Sequence, residues 1–399
     1  MLRPGSFALT LLLAMLTGLG PLSVDMYLAS LPEIVRLLDA STAQGQLTIS
    51  VYLVGLACAQ VFFGPLSDRH GRRPVLLAAL GAYVLASLAC ALATSIEALI
   101  AARFLQALGG SGAMVLARAT VRDMFDGVRL SRELSRMAAI MALAPLVAPL
   151  AGGVLQTLFG WRSNFVALLL FSVTAWGMVW LLLPETLRQR APEPYSLSST
   201  LRAFRSFLSH RSYVVHLGIG MCCMAGLFAW ISTAAFVLQD IYGLTALAFG
   251  GSFAVAASGY LIGTSIAARF VVHWGAGLTM GLGTAAMACG GLAMALAVAL
   301  GMHVAVALVI TAGLYMTGMG MALPQSQAGA LMPFPERAGA AASLFGLCTQ
   351  TSSAVVGAAL GHLLGDTAWP LAIGMAVAGC LGVMLWALSR NIRAQAGSQ

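Results

Sequence analysis

The stretch Gly64-Pro65-Leu66-Ser67-Asp68-Arg69-His70-Gly71-Arg72-Arg73-Pro74 separates two long apolar runs, at about 45 to 66 and 75 to 93. Each run is long enough to cross the hydrocarbon core of a bilayer as a helix, which takes about 20 residues. The polar stretch between them carries three arginines and has glycine near both ends, where a tight turn with close helix approach is favoured. Outward from it the same alternation recurs, with apolar runs at about 6 to 30, 97 to 119, 133 to 157, 162 to 183, 212 to 238, 246 to 272, 276 to 299, 302 to 326, 339 to 364 and 368 to 389. The pattern predicts twelve transmembrane helices in an all-α polytopic membrane protein. The runs are continuous, without the alternating segments of about 10 residues that a transmembrane β-barrel needs.

Composition points the same way. Of 399 residues, 60% are hydrophobic and 9% charged, against roughly a quarter charged in soluble domains. Twelve helices take up roughly 240 residues, which leaves no room for a sizeable soluble domain. The first run follows Arg3 and continues past Pro21 without a small-residue cleavage site, so it reads as a retained span. The seven cysteines lie within apolar runs without metal-ligand spacing and read as small hydrophobes. No metal and no cofactor is expected.

All 21 basic residues are arginine, and the net charge is +8. They fall in short clusters between apolar runs and nowhere form a basic domain, so nucleic acid is not an expected partner. With a cytoplasmic N-terminus, eighteen arginines fall on inner loops and ends and two, Arg36 and Arg162, on outer loops. That bias predicts both termini in the cytoplasm of a bacterial inner membrane, with lipid as the surrounding partner.

The longest connection, 184 to 211, divides the spans six and six, an organisation shared by many secondary transporters. The expected division is an N-terminal six-helix bundle over 1–187, a cytoplasmic linker over 188–211 and a C-terminal six-helix bundle over 212–399. Within the linker, Leu197, Leu201, Phe204 and Leu208 recur at helical spacing beside Arg202, Arg205 and Arg211. This predicts a short amphipathic helix on the inner membrane surface. A plain tether without regulatory role is the simpler account of what it does.

Ionisable groups within the hydrocarbon cost at least about 2.5 to 3.5 kcal/mol each on insertion scales, which makes them functional candidates. Asp25 lies about six residues before the outer end of the first span, and Arg103 about six residues after the outer start of the fourth. At 1.5 Å per residue both sit roughly 9 Å below the outer surface, so depth allows an Asp25–Arg103 pair. Burial favours the neutral acid and the guanidinium favours the carboxylate, so such a site could exchange a proton. The competing account is a solvated Asp25 and an Arg103 that snorkels outward.

Gly64, Asp68, Arg69, Gly71 and Arg72 resemble the glycine–aspartate–arginine loop signature of the major facilitator superfamily. The resemblance implies a gate that holds the inner side closed through charge contacts and helix dipoles. Arg103, Gln106, Gly109 and Gly112 match the superfamily's arginine–glutamine–glycine pattern, which implies a functional role for Arg103. Ala144, Pro145, Pro149, Gly152 and Gly153 resemble the glycine–proline signature of the drug:proton antiporter branch, with Ala144 in place of its first glycine. Two prolines four residues apart bend a helix, and small residues permit tight helix contact. Pro21, Leu22, Ser23, Asp25, Met26, Tyr27 and Leu28, with Arg103 and the ending Leu183, Pro184, Glu185, Thr186 and Leu187, look like the bicyclomycin and chloramphenicol resistance (Bcr/CflA) subfamily. Met332 to Gly339 also resembles that subfamily's connection between spans 10 and 11. The second half repeats Arg269, His273 and Gly275 but has Val272 where an Asp would stand, so a gate there is expected to be weaker or differently built.

Recognition of drug-like molecules needs a large apolar cavity with few oriented polar groups. Tyr27, Tyr52, Met114, Met141, Trp230, Phe236, Tyr260, Gln325 and Gln350 combine bulk or a polar handle with a position inside a span and are the candidate pocket residues. For any one of them, core packing is the plainer reading. The sequence is therefore read as a monomeric, proton-coupled exporter of chloramphenicol- or bicyclomycin-like drugs that works by alternating access. A metabolite or nutrient transporter of the same superfamily, with Arg103 gripping an anionic substrate, is the alternative. An enzyme is not expected, because no polar cluster supplies a catalytic constellation and no P-loop pattern occurs.

Overall fold

The computed structural model describes residues 7–125, 127–187, 197–302 and 304–389. Arg3, Arg188, Arg190, Arg390, Arg393 and the linker stretch 188–196 lie outside the described residues. Among those described, all regular structure is helical. The chain forms α1 (Phe7–Leu28), α2 (Leu31–Leu37), α3 (Thr42–His70), α4 (Arg72–Leu92), α5 (Ile96–Met124), α6 (Gly127–Phe159) and α7 (Arg162–Leu182). It continues with α8 (Leu197–Leu208), α9 (Arg211–Phe236), α10 (Ala246–Ala299), α11 (Ala305–Leu331), α12 (Ala338–Leu363) and α13 (Trp369–Leu388).

Each of the twelve apolar runs lies on one of these helices. Among the described residues ten helices are long and apolar enough to cross a bilayer, and α6 carries the shorter apolar segment Leu143–Phe159. Within α10, Gly275 has φ 73° and ψ 157°, so two expected spans share one element across a break. The helices commonly outrun the apolar runs: α3 continues to His70 and α6 starts at Gly127. Large side chains such as Leu85, Leu92, Leu158, Leu181 and Leu363 are more than half exposed, a surface that water would not tolerate and lipid requires. The protein is a multi-pass membrane protein.

Two compact units form, one of Met1–Tyr195 with Ala246–Gly250 and the other of Ser196–Thr245 with Gly251–Gln399. In the first, Leu12, Leu16, Leu76, Leu80, Tyr83, Leu116 and Val179 build a buried core. In the second, the linker helix α8 joins a core with Tyr213, Leu217, Leu344 and Phe345. Its anchor is Phe207, fully buried against Phe334 at 4.6 Å between ring centroids. Phe207 lies outside the expected stripe, of which Leu201 and Leu208 remain about half exposed. The helix thus has one apolar edge in its unit and another turned outward.

One short helix was not expected. After α1 the chain makes a turn at Ala29–Ser30 and re-enters helix as α2, with Pro32 in its first turn and Leu31, Pro32 and Ile34 buried. Asp25 therefore sits in the last turn of α1, beneath further buried chain, and is 5% exposed.

Candidate functional site

Arg103 lies on α5, whose first turn is capped by the Ser95 hydroxyl accepting from the Ala98 N–H at 3.2 Å. Its side chain is completely buried, so it does not snorkel. The guanidinium donates through Nη1 to the Ser23 carbonyl at 2.9 Å and to Gln106 Oε1 at 2.7 Å. Its central carbon lies 4.2 Å from the Tyr52 ring centroid, 4.7 Å from that of Tyr27 and 6.0 Å from that of Phe165. Aromatic faces attract a desolvated cation by about 2 kcal/mol or more, which offsets part of the burial cost. Nε and Nη2 have no hydrogen-bond partner.

The cage is held from behind. Gln106 Nε2 donates to Ser87 Oγ at 2.9 Å, and Ser87 Oγ donates to the Tyr83 carbonyl at 2.8 Å. The Tyr83 hydroxyl bonds Ser23, and the Tyr27 hydroxyl bonds Thr48. Helices α1, α3, α4, α5 and α7 all contribute. Tyr27 and Tyr52, read from the sequence as pocket residues, are walls of the Arg103 site. Ser23, Tyr83, Ser87 and Phe165 were not singled out for a role there, because a lone Ser or Phe in an apolar run gives no local signal.

The expected Asp25–Arg103 ion pair is not formed. The ion pairs of the first unit include Arg72–Asp68, Arg72–Asp123 and Arg136–Glu133, none of which involves Asp25 or Arg103. Helix geometry gives the reason. Ser23 and Tyr27 are four residues apart and share the face turned to Arg103, whereas Asp25 lies two residues from each, about 200° around the helix. Depth matched, but azimuth did not. Asp25 is nevertheless buried, and α6 packs backbone to backbone beside it: a side chain at Gly152 would collide with the Met26 carbonyl. Asn164 ties this corner together by donating to Ser30 Oγ at 2.7 Å.

The turn after α3 forms a second cluster. Gly64 and Pro65 lie inside α3 and make no turn, contrary to the reading of glycines at both ends. Gly71 alone reverses the chain, with φ 102° and ψ 151°, a region essentially reserved for glycine. Arg72 is the hub. It pairs with Asp68 at 2.5 Å and Asp123 at 2.8 Å and donates to Ser67 Oγ at 2.6 Å. Arg69 is exposed and takes no part in these pairs.

Glu185, from the segment after α7, caps the start of α4. It accepts from the backbone N–H groups of Arg72 at 2.9 Å and Arg73 at 3.2 Å, the first turn of α4. Partial burial alone would raise its pKa. The N–H groups of Leu187, Arg72, Arg73 and Thr186 outweigh that and hold it below the usual carboxylate range. A β-carbon on Gly71 would approach Glu185 Oε2 to 2.5 Å. Asp123 and Glu185 are the site residues that sequence reading missed. Their signal was position: the chain has only 13 acidic residues, and these two stand beside arginine-rich span ends.

The family model described as Major Facilitator Superfamily matches residues 13–358. The chain belongs to that superfamily. Among its relatives is the Bacillus subtilis (strain 168) protein named uncharacterized MFS-type transporter YdgK, 36% identical over 94% of this chain and 93% of that one. A Haemophilus influenzae protein named bicyclomycin resistance protein homolog is 28% identical over 98% of this chain and 99% of its own. A Pseudomonas aeruginosa chloramphenicol resistance protein is 30% identical over 92% of this chain and 87% of its own. A solved POT family transporter in complex with a thioalcohol conjugated peptide has the same fold, with a TM-score of 0.80 over 98% of both chains at 12% identity.

In this transporter the remaining pocket candidates belong to both units. Met114 packs on Gly20, and Met141 is half-buried on α6. Helix α6 contains Pro145 and Pro149, and a β-carbon on Gly153 would come within 2.6 Å of the Ala246 carbonyl, itself part of the first unit. In the second unit Trp230 is fully buried, with its ring 6.3 Å from that of Phe253 and its Nε1 unpaired. Phe236 is buried, while Tyr260 and Gln350 are half-buried. Gln325 lines a cavity that none of the other candidates lines.

Proposed function

We propose that the protein exports drug-like molecules of the chloramphenicol or bicyclomycin kind in exchange for protons. It works as a monomer with both termini in the cytoplasm of a bacterial inner membrane. Its first six-helix bundle (1–187) and second (212–399) alternate access to either side, with Asp25 as proton carrier and Arg103 as its electrostatic partner.

The observation that carries this reading is the buried guanidinium of Arg103, held by aromatic faces and neutral acceptors with two nitrogens unpaired, on a cage whose α1 wall also bears the buried Asp25. A cation without a carboxylate within ion-pairing distance is a site poised to respond to new negative charge nearby. Proton loss from Asp25 supplies such a charge on the same helix, two residues from both α1 contacts. A twist of α1 would then move Ser23 and Tyr27 against Arg103 and link proton occupancy to helix position. Around the Gly71 turn, the Arg72, Asp68, Asp123 and Glu185 cluster supports a gating role for that end of the first unit. The drug-resistance names of the relatives supply the substrate class.

Everted membrane vesicles acidified by respiration test the reading. Adding chloramphenicol or bicyclomycin should release protons from the interior, and Asp25→Asn should abolish that release while the protein remains inserted. Uphill drug transport retained by the variant would reject Asp25 as carrier. Proton movement in the same direction as an anionic metabolite, with no response to drugs, would replace the exporter reading by the metabolite one.

A further inference from the structure

The second unit has a partly open cavity of about 1010 Å³, to which Gln325 is the one drug-pocket candidate that contributes. Ser212, His216 and Gln325 give it a polar part, and Trp274, Met280 and Trp386 an apolar part. All lining residues belong to the second unit. Its volume lies at the top of the range of about 300 to 1,000 Å³ that encloses a drug-sized molecule.

The walls are built to stay open to an amphiphile. Trp386 Nε1 donates to the Gly277 carbonyl at 2.8 Å, which fixes its indole across the second part of α10. Trp274 stacks on Phe270 with centroids 4.5 Å apart and planes at 10°. Beside that stack, Val272 is 84% exposed and Leu278 about half exposed, so the apolar wall runs out into the lipid-facing surface. His216 Nδ1 is 2.7 Å from the Ser212 carbonyl, and its ring packs on Gly329 of α11.

The rim is basic. The Arg269 guanidinium lies 5.9 Å from the centroid of Phe270, on the aromatic stack that ends at Trp274. Arg211 precedes the lining Ser212 in the first turn of α9, and Arg337 ends the three-residue turn that begins at the lining Pro335. Glu336, in that same turn, puts one carboxylate next to Arg337 along the chain. Basic pockets between membrane helices attract anionic lipid headgroups, while tryptophans favour the interfacial depth at which a headgroup meets its acyl chains.

We propose that this cavity binds an anionic phospholipid, with the phosphate held among Ser212, His216 and the arginine rim and an acyl chain laid over Trp274 and Trp386. The lining belongs to the second unit and includes neither Asp25 nor Arg103, and the proposal stands without the drug-export reading.

The test reconstitutes the full-length protein in phosphatidylcholine vesicles that contain a few mole per cent of brominated phosphatidylglycerol or brominated phosphatidylcholine, and reads tryptophan fluorescence. Phosphatidylglycerol should be enriched at the protein roughly five-fold or more over phosphatidylcholine, the weight of a single arginine near a membrane surface. The excess quenching should vanish in the Trp274→Phe, Trp386→Phe double variant, which removes the reporters. It should fall in the Arg211→Gln, Arg269→Gln, Arg337→Gln variant and be lost when Ala328→Trp fills the cavity. Equal quenching by the two lipids in the wild-type protein, or excess quenching that survives Ala328→Trp in a folded protein, overturns the proposal. Should Ala328→Trp not fold, unlabelled phosphatidylglycerol must displace the brominated lipid from wild-type protein saturably, and unsaturable dilution overturns the proposal.

Discussion

The turns at Gly71 and Gly275 are two answers to one backbone problem. Gly71 has φ 102° and ψ 151°, Gly275 has φ 73° and ψ 157°, and each reverses the chain between two membrane helices. Around Gly71 stand Asp68, Arg72, Asp123 and Glu185, joined by ion pairs and backbone hydrogen bonds. At Gly275 the position of Asp68 is taken by the outward Val272, that of Arg72 by Ala276, and the neighbouring side chains form the Phe270–Trp274 stack. A β-carbon on Gly71 would meet Glu185, whereas one on Gly275 would meet nothing within 4 Å. Reversing the chain thus needs only the glycine. The charged cluster at the first turn does something more, which agrees with a gate in the first half and a lipid-facing corner in the second.

The largest effect that separates the turns should come from Arg72→Ala. It strips Asp68 and Asp123 of their common partner, and breaking such a pair while leaving its carboxylates costs roughly 3 kcal/mol. A clear fall in the melting temperature of the purified protein, with loss of transport, is expected; Arg269→Ala should do far less. Next come the glycines themselves. Alanine in this backbone region costs on the order of 1 to 3 kcal/mol at either site, but Gly71→Ala must also displace Glu185 and should be the more destabilising. Equal melting temperatures for Gly71→Ala and Gly275→Ala would show that Glu185 adds nothing.

Glu185→Gln comes third, at roughly 0.5 kcal/mol, since the carboxylate is partly exposed and a screened cap sits at the low end of its range. Its sign is fixed by pH. Because the folded-state pKa of Glu185 is lowered from 4.5, its contribution is present above that value and is lost as pH falls through the lower folded value. Wild-type stability should therefore drop in acid below about pH 4.5, more steeply than that of Glu185→Gln. The smallest effect belongs to Val272→Asp, which puts a carboxylate where the second turn has no arginine following its glycine. At a helix end near the membrane interface it should alter stability by no more than about 0.5 kcal/mol and leave transport unchanged. A marked gain or loss of transport would mean that the second turn gates as well.

Much of this architecture was legible in the sequence. Hydropathy reports where the chain crosses lipid, and each apolar run became a helix. It does not report where a helix stops, so the extensions of α3 to His70 and of α6 from Gly127 were hidden by their polar side chains. The α2 helix had a readable start, Ser30-Leu31-Pro32-Glu33, with proline and an acidic residue in the first turn. Arg103 was legible because an arginine inside lipid demands an explanation. Its partners were not, because cage and brace come from four other helices and azimuth around α1 decides that Ser23 and Tyr27, rather than Asp25, touch the guanidinium. The position of Glu185 beside an arginine-rich span end marks it as a candidate, but a cap made from 112 residues away along the chain does not reveal which helix it serves.

Proton release on drug binding, followed with a pH indicator in a weakly buffered solution of the purified transporter, tests the coupling most directly. The account predicts that chloramphenicol or bicyclomycin drives protons off the wild-type protein, and that Asp25→Asn binds the drug with no release. Release of the same size from Asp25→Asn, or binding to the wild-type protein without any release, would contradict it.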